Sequence, residues 1–241
     1  MNRFVTLRFI AAAWLFCIWP SSLRAQSPQD DWRWEGKELL GNFGCLLVGK
    51  DDLLYAGGTN QIVVLDRNLN FVRAIAGVGA LFGLACDSQT NIYALEQNSI
   101  KVFNSTGALI RQWGSAGTEN GQFNVTGNLG SIPVGGGGQQ YARVSSALAI
   151  GQNGQAYLAD TGNNRVQVFD LIGNHLATWA QSTNLNGTVD QLASIVVIPS
   201  GRLITGSYET RNGLFGGIEL SSPVFRNLSS NGTVIRRTPN N

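Results

Sequence analysis

The chain has 241 residues, of which 30 are glycine, 43% are hydrophobic and 13% carry a charge. Its formal net charge is +2, which is too small to indicate a nucleic-acid-binding protein. The sequence holds one histidine, His175, so metal sites built from several histidines are excluded and a His-based catalytic triad has no plausible base.

The first 25 residues have the pattern of a secretory signal peptide. Arg3 and Arg8 precede an apolar run, Phe9–Trp19, and a short polar stretch ends at Ala25. Cleavage after Ala25 would place the protein in the periplasm or outside the cell. An uncleaved membrane anchor is the weaker alternative, because the apolar run is shorter than the ~20 residues that span a bilayer.

Removal of this segment changes the charge balance. Arg3, Arg8 and Arg24 leave with it, so 14 basic residues face 15 acidic ones in the mature chain. We therefore expect no nucleic-acid partner, and no membrane span after cleavage.

Residues 26–42 are predicted to form a polar linker followed by an N-terminal strand. In Trp32-Arg33-Trp34-Glu35 the alternation places both tryptophans on one face, as in an outer β-strand. The sequence leaves two positions open for this arm. It packs on the first sheet that follows, or it pairs with the last sheet of the chain.

Three stretches of the chain repeat one pattern of short strands. In each, a strand with a central tyrosine (Tyr55, Tyr93 or Tyr157) is followed by a turn and a second apolar strand. Tyr55 and Tyr93 are 38 residues apart, a spacing typical of propeller blades. The longer spacing to Tyr157 indicates an insertion, and Ile204 occupies the same position in a weaker fourth copy.

The third copy shows the organisation of one unit. Four short β-runs are separated by turns rich in Asn, Gly and Asp, which predicts a meander of antiparallel strands. The runs are Ala147–Ile150, Gln155–Ala159, Arg165–Phe169 and His175–Trp179. A single four-stranded meander cannot bury both of its faces, so copies must pack on either side of it.

Two motifs in this region resemble a known family. Asp160–Phe169, with the sequence D-T-G-N-N-R-V-Q-V-F, resembles the core motif of NHL repeats, and Trp113–Phe123 resembles the motif that links such repeats. The resemblance covers about residues 43–237 and leaves a tail at 238–241. It implies an all-β fold, a β-propeller of four-stranded NHL-type blades. About four blades are recognisable: Phe43–Ile75, Phe82–Trp113, Val144–Trp179 and Leu192–Arg237.

Propellers of this family usually have six blades, so the number of blades leaves the assembly open. Four blades are consistent with a closed small ring, or with an incomplete propeller that a second copy completes as a homodimer through the edge blades. They are also consistent with a fragment. An open arc would leave edges that aggregate unless a partner covers them.

Two cysteines, Cys45 and Cys86, fall on the predicted innermost strands of adjacent blades. Alignment at the 38-residue spacing displaces them by three residues, which is about 10 Å along a strand. This separation is too large for a disulfide, so we expect two free thiols.

The order of strands within a blade predicts which loops share a face. If each blade runs from its innermost strand a to its outermost strand d, the d-to-a and b-to-c connections lie at one end of the propeller. The two longest irregular connections, Gly114–Arg143 and Ser207–Gly217, are then both on this face, where loops on a rigid scaffold carry function. Candidate ligand-binding residues on this face are Glu96, Tyr141, Arg143, Asp160, Arg165, Tyr208 and Arg211.

A structural role is favoured for two of these candidates. In the repeat motif we expect Asp160 to cap its own tight turn and Arg165 to brace a neighbouring loop.

Two functions remain open from the sequence. The first is an exported, non-catalytic binding or scaffold module that recognises a protein, peptide or glycan through the loop face. The alternative is a carboxylate- or calcium-dependent hydrolase or lyase with its site in the propeller channel. Asp51-Asp52 lacks the spacing of a calcium loop. We therefore predict no cofactor, no metal site and no catalytic residue.

Overall fold

The computed structural model describes residues 44–125, 132–134, 138–140, 147–180, 191–212, 218–228, 232 and 234–237. The predicted signal peptide, linker, N-terminal strand and C-terminal tail lie outside these residues. Among the described residues, no helix has the length and apolar character needed to cross a membrane.

The described residues form four antiparallel sheets of four strands each. Blade 1 consists of β1 (Cys45–Val48), β2 (Leu54–Gly57), β3 (Gln61–Leu65) and β4 (Phe71–Ala76). Blade 2 consists of β5 (Gly83–Cys86), β6 (Ile92–Leu95), β7 (Ile100–Phe103) and β8 (Leu109–Trp113). A separate two-stranded hairpin follows, formed by β9 (Ile132–Val134) and β10 (Gly138–Gln140).

The second half of the chain repeats this arrangement. Blade 3 consists of β11 (Leu148–Ile150), β12 (Gln155–Asp160), β13 (Arg165–Asp170) and β14 (His175–Ala180), with a 3-10 helix at Thr161–Asn163. Blade 4 consists of β15 (Gln191–Val197), β16 (Leu203–Asn212), β17 (Ile218–Leu228) and β18 (Val234–Arg237). The prediction of four four-stranded blades is confirmed.

Successive blades pack face to face through apolar side chains. One buried cluster joins Tyr55 and Val64 of blade 1 to Leu84 and Phe103 of blade 2. A second, larger cluster joins blades 2, 3 and 4, and it includes Tyr93, Val102, Tyr157, Val168 and Leu203. Alternation along each strand supplies both faces of a blade with apolar residues, which explains why the middle strands of blades 1, 2 and 3 are mostly buried.

Each central tyrosine is tied to the turn between the first two strands of its own blade. The Tyr55 hydroxyl donates to Asp51 Oδ2 at 2.7 Å, and the Tyr93 hydroxyl donates to Asp87 Oδ2 at 3.1 Å. In blade 3 the Tyr157 hydroxyl accepts from Asn153 Nδ2 at 2.8 Å. The buried rings therefore keep their polar ends hydrogen-bonded at the blade surface.

Neighbouring blades are also joined near their outer strands by a recurring contact, which we call the inter-blade staple. An apolar residue at the end of strand d lies directly beneath a glycine in the c-to-d turn of the following blade. The three pairs are Ile75 with Gly107, Trp113 with Gly173, and Trp179 with Gly232. Each of these glycines has a positive φ, and a Cβ atom at Gly173 would lie 2.6 Å from Cγ of Trp113.

Blade 4 differs from the prediction in its second connection. We expected a long loop at Ser207–Gly217, but residues up to Asn212 belong to β16, and Asn212 pairs with Ile218 of β17. The prediction of a loop is therefore wrong for residues 207–212, because the backbone hydrogen bonds of the β16–β17 ladder continue through a turn-rich sequence. The remaining residues of the connection, 213–217, lie outside the described residues.

The two cysteines lie on β1 and β5, the innermost strands of blades 1 and 2, as the repeat alignment predicts. Cys45 is buried, Cys86 is half-buried, and both thiols are free.

Candidate binding face

The carboxylate of Asp160, at the end of β12, is completely buried and fully hydrogen-bonded. Its Oδ2 accepts from Arg165 Nε at 2.7 Å and from Gln167 Nε2 at 2.9 Å. Its Oδ1 accepts from the backbone amide of Asn124 at 2.8 Å, and Asn163 Nδ2 lies within 3.0 Å of both oxygens. With these acceptor positions filled, the carboxylate is not available as a general base or a metal ligand.

Arg165 links this carboxylate to the preceding inter-blade connection. Its Nη2 donates to the carbonyl oxygens of Glu119 and Gln122, both at 2.8 Å. The expectation that Arg165 braces a neighbouring loop is confirmed. The expectation that Asp160 caps its own turn is wrong, because the backbone amide that it binds belongs to Asn124 in that neighbouring connection.

Glu96, in the turn between β6 and β7 of blade 2, also connects its turn to the preceding inter-blade connection. Its Oε1 accepts from Lys101 Nζ at 2.8 Å and from the Gly79 amide at 2.6 Å, and its Oε2 accepts from Ser99 Oγ at 2.8 Å. Burial alone would raise the pKa of Glu96, but the hydrogen bonds from Lys101, Gly79 and Ser99 outweigh burial and hold that pKa below its ordinary value. Glu96 therefore ties its turn to the connection between blades 1 and 2.

The other four candidates divide into two pairs. Tyr208 and Arg211 lie on β16, where their backbones pair with Pro223 and Glu219. Tyr141 and Arg143 lie outside the described residues. Of the predicted set, the structure brings Asp160 and Arg165 into direct contact, and it places Glu96 in a different blade.

One feature of this face was not predicted from the sequence: β16 and β17 extend beyond the rest of blade 4. The pairing of β15 with β16 ends at Tyr208, and β18 pairs with β17 at residues 226–228. Beyond these points the two strands pair with each other and with no other described strand. We call residues 209–212 with 218–224 the ribbon. The alternation of apolar and polar residues at Ile218-Glu219-Leu220 is the sequence signal that could have indicated it.

Within the described part of the chain, no group of three or more His, Cys, Asp and Glu residues is arranged to hold a metal ion. At the opposite end of the propeller, the turns of blade 1 form a shallow depression lined by Asp51, Asp52, Asp66 and Arg67. Arg67 forms an ion pair with Asp52 there.

Four antiparallel, four-stranded sheets packed face to face in chain order define the molecule as a β-propeller. Residues 146–169, which contain the Asp160–Arg165 network, match the family model of the NHL repeat. The chain is therefore a β-propeller with an NHL repeat in its third blade.

Solved propellers share this architecture at low sequence identity. Hydrazine synthase from Kuenenia stuttgartiensis is similar with a TM-score of 0.54 and 12% identity over 83% of this chain and 49% of that one. The Pan2 WD40 domain from Neurospora crassa is similar with a TM-score of 0.52 and 13% identity, over 81% of this chain and 49% of that one. A protein of unknown function from Bacteroides caccae is similar with a TM-score of 0.51 and 10% identity, over 81% of this chain and 60% of that one.

These similarities show the fold alone. The chain spans about half to three fifths of the length of these solved chains. No curated protein matches the chain in sequence.

Proposed function

We propose that the chain is an exported, non-catalytic binding module that takes up an extended segment of a partner protein along the ribbon of blade 4. The observation that carries this proposal is the ribbon's backbone edge, along which residues 218–224 of β17 pair with no described strand other than β16. Exposed strand edges bind extended peptides by adding a strand to the sheet, with main-chain hydrogen bonds giving affinity.

The polar residues on the rest of the face support a scaffold rather than a catalyst. Asp160 and Glu96 are the carboxylates of the b-to-c turns in blades 3 and 2, and both accept hydrogen bonds from groups that connect their turn to the preceding inter-blade connection. The alternative of a carboxylate- or calcium-dependent hydrolase or lyase gains no supporting observation among the described residues. Export is proposed from the signal-peptide pattern of the sequence.

A peptide-display library screened against the purified protein tests the proposal. In the test variant, an Asn-Gly turn replaces residues 208–223, so that Ser207 and Val224, which already pair, close a short hairpin. The matched control is Ile172→Ser, an exposed residue in a c-to-d turn of the opposite face. Peptides selected on the natural chain should bind the shortened variant at least about tenfold more weakly and the control equally well.

Two results would contradict the proposal. If the selected peptides bind the shortened variant and the natural chain with equal affinity, the ribbon is not the site. If a glycan array screened in parallel gives specific binders while the peptide library gives none, the ligand is a glycan and the assignment of a peptide is wrong.

A further inference from the structure

One face of blade 1 is buried without a cover from another described blade. Tyr55 and Val64 belong to the cluster shared with blade 2, so their neighbours in sequence, Ala56 and Val63, point to the opposite side of the sheet. On that side Ala56, Val63 and Leu65 are 3%, 0% and 5% exposed.

Among the described residues, the apolar side chains packed around these three come from blade 1, and they are Leu54, Leu69 and Phe71. We call this set the outward cluster. A sheet face is buried to this degree only when another layer lies on it, so a further segment of the chain must cover the outward cluster.

The cover reaches the middle strands of the blade but not its innermost strand. Leu46 and Val48 of β1 point to the same side as Ala56, and they remain 56% and 69% exposed. The corresponding residue of blade 2, Leu84, is buried against blade 1. The segment that covers the outward cluster is therefore narrower than a whole blade, as a single strand would be.

The inter-blade staple indicates what kind of residue this segment contributes. In blades 2, 3 and 4 the c-to-d turn contains a residue with a positive φ. This residue contacts an apolar side chain from the chain segment that precedes the blade. In blade 1 the left-handed residue of this turn is Leu69, with φ of 61°, and it belongs to the outward cluster. The segment that precedes β1 is thus expected to supply the apolar residue of a fourth staple.

Residues 26–43 precede β1 and lie outside the described residues. They contain Trp32 and Trp34, which alternate with Arg33 and Glu35 so that the two indoles share one face. Tryptophan already fills this position in two of the three staples, at Trp113 and Trp179. Trp34 stands 11 residues before Cys45, and an extended segment of that length spans up to about 36 Å.

We propose that the N-terminal arm, residues 26–43, lies as a strand across the outward cluster of its own blade 1, with Trp32 and Trp34 facing Leu69. The arm then takes, for blade 1, the position that strand d of the preceding blade takes for blades 2, 3 and 4. This assignment is independent of the ligand proposed for the ribbon.

Disulfide trapping in the full-length chain tests the placement. In the staple at Gly173, a Cβ atom would lie 3.0 Å from Cβ of Trp113, close to the Cβ separation of about 3.5–4.5 Å in a disulfide. Leu69→Cys is therefore combined with Trp32→Cys or Trp34→Cys, and with Arg33→Cys or Glu35→Cys as matched controls. Mild oxidation and peptide mass spectrometry identify the links.

An intrachain link from the cysteine introduced at position 69 to position 32 or 34, and not to 33 or 35, is the expected result. Two outcomes would overturn the proposal. Links formed only between chains would show that the arm of a second copy covers the outward cluster. The absence of any link at positions 32 and 34 would show that the arm does not lie on blade 1.

Amide hydrogen exchange gives a second readout that does not depend on a new bond. Replacing both Trp32 and Trp34 with alanine should accelerate exchange in β2 and β3 at least about tenfold, while blade 3 keeps its protection. The control replaces Arg33 and Glu35 with alanine and should leave both blades unchanged. Unchanged exchange in the tryptophan variant would contradict the proposal.

Discussion

The indole of Trp113 lies between two blades, where it packs against the ring of Tyr93 in blade 2 and beneath Gly173 in blade 3. The two ring centroids of Trp113 and Tyr93 are 5.9 Å apart at an interplanar angle of 71°. A glycine is required above the indole because any side chain at position 173 would occupy the same space. One residue thus stabilises the packing within a blade and the contact between two blades.

Substitution of Gly173 by alanine should destabilise the protein more than the same change at Gly154. Both glycines have positive φ, so each substitution carries the backbone strain of about 1 kcal/mol. A Cβ at Gly154 meets no atom within 4 Å, whereas at Gly173 it would overlap Trp113, which adds about 1–3 kcal/mol. Urea denaturation of the two variants measures the difference. Equal losses would show that Trp113 moves aside without cost.

Replacing Thr90 with glycine should stabilise the protein. Thr90 has φ of 62°, a conformation that is strained for a β-branched residue, and the equivalent positions in blades 3 and 4 are Gly154 and Gly201. Relief of this strain should add about 0.5–1 kcal/mol to the free energy of unfolding. Ser88→Gly, in the same turn without a positive φ, is the control and should lower stability. A lower thermal midpoint for the Thr90 variant would contradict the prediction.

Substitution of Asp160 by asparagine should be strongly destabilising. The change removes the negative charge beside Arg165, whose side chain is mostly buried, and it sets an amide donor against the donors of Gln167 and Asn163. Loss of one partner of a buried pair costs about 3–5 kcal/mol. The control is Asp52→Asn in the exposed pair with Arg67, which should change the unfolding free energy little. Similar effects from both variants would refute the structural role of Asp160.

Protonation of Glu96 should weaken the fold at acid pH. Because hydrogen bonds hold its pKa below the ordinary value in the folded state, the unfolded chain takes up the proton first as the pH falls. The stability that its charge contributes is complete above the unfolded pKa of about 4.5 and is lost as the pH falls through the lower folded pKa. Unfolding free energies of the natural chain and of Glu96→Gln should therefore differ at neutral pH and converge as the pH falls below the unfolded pKa of Glu96.

Glu119→Gln, at an exposed glutamate, provides the control for the pH series, and its difference from the natural chain should stay small throughout. If the difference in unfolding free energy between Glu96→Gln and the natural chain widens on acidification, the predicted contribution of the Glu96 charge to stability is wrong.

The two inner-strand thiols should react with iodoacetamide at different rates. Burial raises the pKa of Cys45 to about 12, and burial also raises the pKa of the half-buried Cys86. Because the thiolate is the reactive form, we expect Cys86 to be alkylated faster than Cys45 in the folded protein. Peptide mass spectrometry of timed samples resolves the two sites, and unfolding in guanidinium should equalise the rates. Faster labelling of Cys45 would contradict the described packing.

The repeats could be predicted from sequence because one blade is built almost entirely from local patterns. The spacing between Tyr55 and Tyr93 predicted the architecture, and the strands predicted from Gln155 to Trp179 agree with the structure within one residue. These elements depend on alternation and on turn residues within a few positions of one another.

The candidate site was less predictable, because its contacts join residues that are far apart in the chain. The amide that Asp160 binds belongs to Asn124, 36 residues earlier, and no spacing rule indicates this pairing. The ribbon was missed because Gly206, Asn212 and the glycines after it are turn signals. The ladder between β16 and β17 overrides these signals up to Asn212.

The hydrogen bond to the central tyrosine is made in two ways. In blade 1, Asp51 supplies it, and Gly49 leaves the necessary space, since a Cβ there would lie 2.7 Å from Cε2 of Tyr55. In blade 2, Asp87 occupies the position of Gly49 and supplies the bond itself.

Neither arrangement converts into the other by one substitution. An aspartate introduced at Gly49 would collide with Asp51 and Tyr55, and loss of Asp51 alone would leave the buried Tyr55 hydroxyl without the acceptor to which it donates. Exchange of one arrangement for the other at this turn therefore requires paired changes.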